Sequence, residues 1–173
     1  IEEISYIDMS EEQDRMYRQI FETGFHDAEL LEANNESGLS LHIFALLNKL
    51  KQVCDHPCLV TKSPTDYLNH ESGKFELFKE LLREARESGQ KVVVFTQYLD
   101  MMRILKLYLD SESIGYASIH GQTKDRKGEV ERFRDDPECE VFIASLQAGG
   151  VGIDLISASV VIHYDRWWNP AKE

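Results

Sequence analysis

Short apolar runs alternate with amphipathic helical stretches in the second half of the chain, and this alternation most constrains the fold. Residues 92–95 are all apolar and mostly β-branched, which is typical of a strand buried on both faces. Further strands are predicted at 116–119, 141–144 and 160–164, and helices at 74–88, 99–109 and 125–134. Strands that alternate with helices predict a parallel sheet with right-handed crossovers. We therefore expect an α/β domain over residues 72–173.

The first 71 residues predict helices and no strands. Ser10 and Gln13 match a capping box, and a helix is expected from there to about Gly24. Polar residues then indicate a loop at 32–38 and, later, a linker at 61–72. Between them, a second helix should end near Asp55. Its buried face is predicted from apolar residues at steps of three and four: Leu39, Ile43, Leu46, Leu50 and Val53. We expect this helical segment, 1–71, to lead into the α/β domain and pack on it.

Composition excludes several classes of protein. Three cysteines cannot form a disulfide framework and suit a reducing, intracellular compartment, and no apolar stretch is long enough for a membrane helix. The net charge of −12 argues against a stand-alone nucleic-acid binder. Residues 1–71 carry −9 of it and residues 72–173 only −3, so the α/β domain can still present a basic surface. Because the chain opens on Ile1 without a start methionine, we expect it to be a piece of a longer protein.

Polar side chains follow all four predicted strands. Because ligands of open α/β sheets bind beyond the carboxyl ends of the strands, this pattern predicts a site at one edge, without specifying a reaction. The residues concerned are Thr96 and Gln97, His120, Ser145 and Gln147, and Asp165 and Arg166. Glycines at 149, 150 and 152 allow close approach to a phosphate or ribose, or serve a tight turn. Asp154 and Asp165 are either ligands or turn anchors.

Two other motifs are incomplete. Gly73-Lys74 resembles the end of a phosphate-binding P-loop, but Leu68 replaces its first glycine and Phe75 its Ser/Thr. Cys54-x-His56-x-Cys58 suggests zinc, but the spacing is unusual and no second ligand pair follows. We interpret these thiols as buried side chains next to a helix-ending His-Pro pair.

Several segments together closely resemble the second RecA-like lobe of the Swi/Snf-type DNA translocases in helicase superfamily two. They are 93–98, His120-Gly121, 145–155 with its Ala-Gly-Gly-Val-Gly-Ile-Asp-Leu string, and Asp165-Arg166-Trp167-Trp168-Asn169-Pro170. The segments 46–57 and 72–74 are also similar to those leading into that lobe. The resemblance implies a RecA-like fold and a motor of two lobes, with ATP between them and double-stranded DNA lying across both.

The resemblance also implies roles for individual residues. Gly152 and Asp154 are expected to contact ATP, Asp154 by accepting from a ribose hydroxyl. Arg166 and Trp167 are expected to form an arm against DNA, although packing on the helical segment is an alternative for Trp167. The neutral side chains expected at DNA phosphates are Thr96, Gln97, His120, Ser145 and Gln147. For His120 the alternative is a cap on the helix that begins near 125.

The same resemblance places the P-loop and the Mg²⁺-binding acids in a first lobe, and the arginine fingers just beyond Glu173. ATP and Mg²⁺ are therefore expected as cofactors of the complete protein, with neither bound to this chain alone and no catalytic or metal-binding residue within it. The expected partners are the first lobe and, weakly, DNA. Two alternatives stay open: a non-catalytic scaffold that keeps the lobe, and an autonomous nucleotide-binding enzyme.

Overall fold

The chain is divided into two compact units in the computed structural model, which describes residues 3–34, 37–149 and 156–166. Residues 1–77 form a helical unit and residues 78–173 a sheet unit. Within the described ranges, no helix combines the length and the apolar character needed to cross a bilayer.

Among its described residues, the helical unit contains four α-helices and a short 3-10 helix. Their bounds are α1 (Glu11–Ala33), α2 (Leu39–Asp55), α3 (Pro57–Thr61), the 3-10 helix (Pro64–Asn69) and α4 (Gly73–Glu87), which continues into the sheet unit. The capping box is confirmed, because Ser10 Oγ accepts from the Gln13 amide and Gln13 Oε1 accepts from the Ser10 amide. α1 and α2 are antiparallel, since Gln13 contacts Val53 whereas Gly24 contacts His42.

Three expectations for this unit need correction. α1 does not end near Gly24 but continues to Ala33, and Gly24 lies inside this helix, buried closely against the Leu46 side chain. The expected linker at 61–72 contains the 3-10 helix, which is held by Tyr67 packing edge-on against Phe75 at 5.8 Å. The face of α2 is buried only at its carboxyl-terminal end, at Leu50 and Val53.

Gln13 joins three elements of the helical unit. Its side chain is fully buried, and Nε2 donates to the Val53 carbonyl of α2 at 2.8 Å. Its Oε1 accepts from the Gly73 amide at the start of α4, at 3.0 Å. The Gln13 side chain therefore forms hydrogen bonds with backbone groups at one end of α1, one end of α2 and one end of α4. These bonds hold the three helix ends together.

The described part of the sheet unit contains a four-stranded parallel sheet, as expected. The order is β2-β3-β1-β4, so the first strand lies in the interior with a later strand on each side. The elements are β1 (Val92–Thr96), α5 (Leu99–Ser111), β2 (Gly115–Ile119), α6 (Arg126–Asp135), β3 (Cys139–Ser145), α7 (Leu146–Gly149) and β4 (Val160–His163). The predicted bounds agree with these to within two residues wherever an element was predicted.

Helices cover the sheet and bury its apolar side chains. Phe133 of α6 packs on Phe142 of β3, with ring centroids 5.3 Å apart, in a core that includes Val93 and Ile119. On α5, the buried side chains are Met101, Met102, Ile104, Leu105 and Leu109. Gly89 has a φ of 67° just after α4, so it adopts the left-handed conformation predicted for a helix-ending glycine.

Candidate nucleic-acid interface at the carboxyl edge of the sheet

The parallel sheet brings the four strand ends to a single edge. Following the strand order, His120 comes after β2, Ser145 ends β3, Thr96 ends β1, and Asp165 lies beyond β4. The pairing of Thr96 with Ser145 places two of these residues directly opposite one another. The predicted gathering of polar residues at this edge is therefore present.

Asp165 anchors the ends of β1 and β4 to each other. Its buried carboxylate accepts from the Thr96 hydroxyl and, at 2.9 Å, from the Gln97 amide. The adjacent Tyr164 amide donates to the Phe95 carbonyl at 2.9 Å. Of the two roles left open for Asp165, the structure shows the turn anchor.

Thr96 consequently faces Asp165 and not the surface. The side chain is fully buried, and its Oγ1 also accepts from the Tyr98 amide at 3.3 Å. Gln97 and Arg166 lie closer to solvent, and Gln97 Nε2 donates to the Arg166 carbonyl at 3.4 Å. The Asp165 carboxylate thus fixes the backbone at Gln97, next to the more exposed side chains at this edge.

The end of β3 presents one buried and one exposed polar residue. Ser145 is 5% exposed, and among the described residues its Oγ has no hydrogen-bond partner. Gln147, in the single turn of α7, is exposed. Gly152 and Asp154 follow soon after but lie outside the described residues, as does Trp167.

His120 belongs to a tight turn and does not cap α6. Its amide donates to Thr123 Oγ1 at 2.9 Å, and its Nδ1 accepts from the Gln122 amide at 3.3 Å. The N-cap of α6 is Asp125, whose carboxylate accepts from the Gly128 amide at 2.8 Å, so the cap alternative for His120 is wrong. Because Nδ1 accepts, the neutral ring carries its proton on Nε2, which can donate to an anion.

The cysteine and histidine side chains near the end of α2 make structural contacts. Cys58 is fully buried, which raises the pKa of its thiol to about 11, and burial also raises the pKa of Cys54. His56 Nδ1 accepts from the Cys58 amide at 3.2 Å and caps α3. Within the described ranges, no group of three or more His, Cys, Asp or Glu side chains could hold a metal ion.

A known protein family matches the sheet domain of this chain. Residues 73–173 match the family described as the helicase conserved C-terminal domain. YwqA of Bacillus subtilis, which carries the provisional name ATP-dependent helicase/translocase, is 36% identical over all of this chain. The human lymphoid-specific helicase is 30% identical over 96% of it. The chain spans only 19% and 21% of the lengths of these two relatives.

Solved structures agree with this assignment. The C-terminal domain of the Sulfolobus solfataricus SWI2/SNF2 ATPase is 32% identical, with a TM-score of 0.81, over 96% of this chain and 72% of that one. The core of that ATPase in complex with double-stranded DNA has a TM-score of 0.79 at 31% identity, over 95% of this chain and 35% of the core. The chain therefore belongs to the Swi/Snf family of helicase superfamily two, as a C-terminal RecA-like lobe.

Proposed function

We propose that this chain is the second motor lobe of an ATP-dependent translocase on double-stranded DNA. The observation that carries the proposal is the single sheet edge, along which polar side chains from four strand ends are held in place. The edge has few cations and many neutral donors, which can position a DNA backbone without reading its sequence. A relative of the same fold in complex with DNA supports this assignment.

The residues at the edge divide into two groups. Gln97, His120, Gln147 and Arg166 are partly or fully exposed, and we assign them to the DNA backbone. Thr96 takes a supporting role, because its buried hydroxyl holds Asp165. Ser145 remains a candidate for a phosphate contact, because its Oγ has no partner among the described residues.

The ATP-binding role is assigned to the segment that follows α7 in the sequence. We propose that Gly152 and Asp154 form one wall of the cleft and that Trp167 joins Arg166 at the DNA. Following the family resemblance, we assign the Mg²⁺ site and the P-loop to the first lobe, the proposed partner of this chain.

Binding to DNA tests the role of the edge. Fluorescence anisotropy with a labelled duplex of about 30 base pairs at physiological salt should give a Kd of about 10⁻⁴–10⁻⁶ M for the full chain, with a lower Kd as the salt is reduced. Arg166→Ala should weaken binding. It should also reduce the slope of log K against log salt concentration by about 1, because one phosphate contact is lost. Gln97→Ala should weaken binding without changing the slope.

The matched control is Arg83→Ala, which removes an exposed cation from α4, away from the strand ends. Equal losses for the Arg83 and Arg166 variants would assign binding to overall charge and contradict the proposal. Submicromolar binding that resists salt would contradict it as well, because a few neutral contacts cannot supply such affinity.

A further inference from the structure

The α1–α2 hairpin carries large apolar side chains on its surface. The members are 37% to 65% exposed: Phe21, Phe25, Ile43, Phe44 and Leu47, which we call the hairpin face. Single exposed apolar residues are ordinary on protein surfaces, but a contiguous group rimmed by polar residues marks an interaction site. Three of these five are phenylalanines, a residue type enriched at protein interfaces.

Helical geometry gathers Phe21, Phe25, Ile43 and Leu47 on one side of the hairpin, and Phe44 extends this apolar surface around α2 from Leu47. Phe21 and Phe25 are four residues apart, and their rings stack with centroids 5.8 Å apart. Phe44 and Leu47 are neighbours on α2 at a spacing of three. Gly24 of α1 contacts His42 of α2, so the pair Phe21 and Phe25 lies at the same height along the hairpin as the pair Phe44 and Leu47. In an antiparallel pair of helices, the residues that directly follow the contacting residues lie on the same side of the pair on both helices.

The polar rim of the hairpin face is acidic. Glu22, Glu29 and Glu32 are exposed, and their spacings of three, four and seven residues from Phe25 place them beside it on α1. Two cations border the same face and are outnumbered by the three glutamates: Arg18, whose guanidinium is paired with Asp14 at 2.9 Å, and Lys51, four residues after Leu47.

Charge decides which occupant fits this face. A second copy of the chain would bring the same glutamates together, and DNA or an anionic membrane would be repelled in the same way. A helix with one apolar stripe and a basic border would match both features, with its apolar side chains in contact with the phenylalanines. We propose that the hairpin face docks an amphipathic helix of a partner protein with Lys or Arg flanking its apolar stripe. This proposal is independent of the DNA-binding role of the sheet edge.

A synthetic helix tests the proposal directly. The probe is a fluorescein-labelled peptide of about 18 residues, five helical turns, with Leu at i, i+3, i+4 and i+7 and Lys elsewhere. Two matched peptides carry Glu in place of Lys, or the same composition in scrambled order. We expect the full chain to bind the Leu/Lys helix at least about tenfold more tightly than either control.

Variants of the chain locate the binding surface. The double variant Phe25→Ser/Phe44→Ser should weaken binding by about tenfold or more, because interface aromatics carry much of the binding energy. Leu99→Ser, at an equally exposed leucine on α5, should leave binding unchanged. The triple variant Glu22→Gln/Glu29→Gln/Glu32→Gln should bind more weakly and with less dependence on salt. Circular dichroism of each variant checks that the helices remain intact.

Several outcomes would overturn the proposal. Equal binding of the scrambled peptide, or unchanged binding by the double phenylalanine variant, would show that the hairpin face is not the site. Tight binding of the Leu/Glu peptide would contradict the role of the acidic rim. A dimer in light scattering that the Phe25→Ser/Phe44→Ser variant converts to a monomer would assign the face to a second copy of the chain.

Discussion

Gln13 shows how much one buried amide can contribute when every polar atom has a partner. Its oxygen and nitrogen together serve the Ser10 and Gly73 amides and the Val53 carbonyl. Sequence analysis identified Gln13 as part of a capping box, since that motif depends on local spacing. The contacts with Val53 and Gly73 join residues 40 and 60 positions apart, and no local pattern predicts them.

Replacing Gln13 with Ala should destabilise the helical unit strongly. The substitution leaves buried backbone groups without partners and removes half of the capping box, for a loss of roughly 2–4 kcal/mol in the free energy of unfolding. Urea titration followed by circular dichroism measures the loss. Gln19→Ala, at an exposed position of the same helix, should change the free energy by less than about 0.5 kcal/mol. Similar midpoints for the two variants would contradict this account of Gln13.

His56 should make the stability of the chain depend on pH. It is fully buried, and burial, with a smaller effect of His70, lowers its pKa to about 4. In the unfolded chain the pKa of a histidine is about 6.5, so between these values only the unfolded state binds the proton. Stability is therefore complete above about pH 6.5 and falls as the pH drops toward 4, by roughly 2–3 kcal/mol over the whole interval.

The matched variant for this prediction is His56→Asn, which keeps an acceptor for the Cys58 amide but does not titrate. Unfolding midpoints measured in urea from pH 7 to pH 4.5 should fall less steeply for the variant than for the wild type. Parallel curves would mean that His56 is not the group responsible.

At the scale of elements, two glycines show how neighbours decide whether a side chain is tolerated. A Cβ at Gly24 would meet the end of the Leu46 side chain, which lines a cavity of about 420 Å³ and can move into it. A Cβ at Gly115, at the start of β2, would meet the Glu138 carbonyl, which is backbone and cannot move without distorting the start of β3.

Gly24→Ala should therefore change stability by less than about 1 kcal/mol, because the improved helix propensity offsets the displacement of Leu46. Gly115→Ala should cost about 2 kcal/mol or more, because the clash is with backbone. The two variants can be compared by chemical denaturation under identical conditions. A larger loss for Gly24→Ala would show that the α1–α2 contact is as rigid as the sheet.

The elements of the sheet unit were predicted better than those of the helical unit, for a physical reason. Strands buried on both faces, such as 92–95, and amphipathic helices, such as 99–109, carry their burial pattern in the sequence. The 3-10 helix at Pro64–Asn69 depends on Tyr67 packing against Phe75, and its polar composition resembles that of a loop. At the sheet edge, sequence order predicted which residues gather there. It did not predict that Thr96 faces inward, because that orientation follows from its contact with Asp165.

At the scale of the whole molecule, charge is divided unevenly. Residues 1–71 carry −9 and residues 72–173 carry −3, so the acidic surface belongs mainly to the helical segment. A net charge of −12 therefore does not exclude weak DNA binding at the sheet edge, although it should limit the affinity.

The full chain of 173 residues should not hydrolyse ATP on its own. Phosphoryl transfer depends on charged groups positioned around the phosphates, and an arginine finger alone contributes about 10³–10⁵ in rate. The sequence contains no complete P-loop. Phosphate release measured with and without duplex DNA should therefore equal that of a buffer control. DNA-stimulated turnover that copurifies with the chain through several columns would contradict this expectation.

The strand order also has a consequence for folding. Of the four described strands of this sheet, β1 is synthesised first, yet its two neighbours are β3 and β4, which begin 47 and 68 residues later. During synthesis, the Val-Val-Val-Phe run has both backbone edges unpaired until those strands arrive. Long-range pairing of this kind slows folding, and an unpaired apolar strand is prone to associate with other chains. We therefore expect the nascent chain to be most vulnerable to aggregation before β3 emerges, and to benefit from chaperones during that interval.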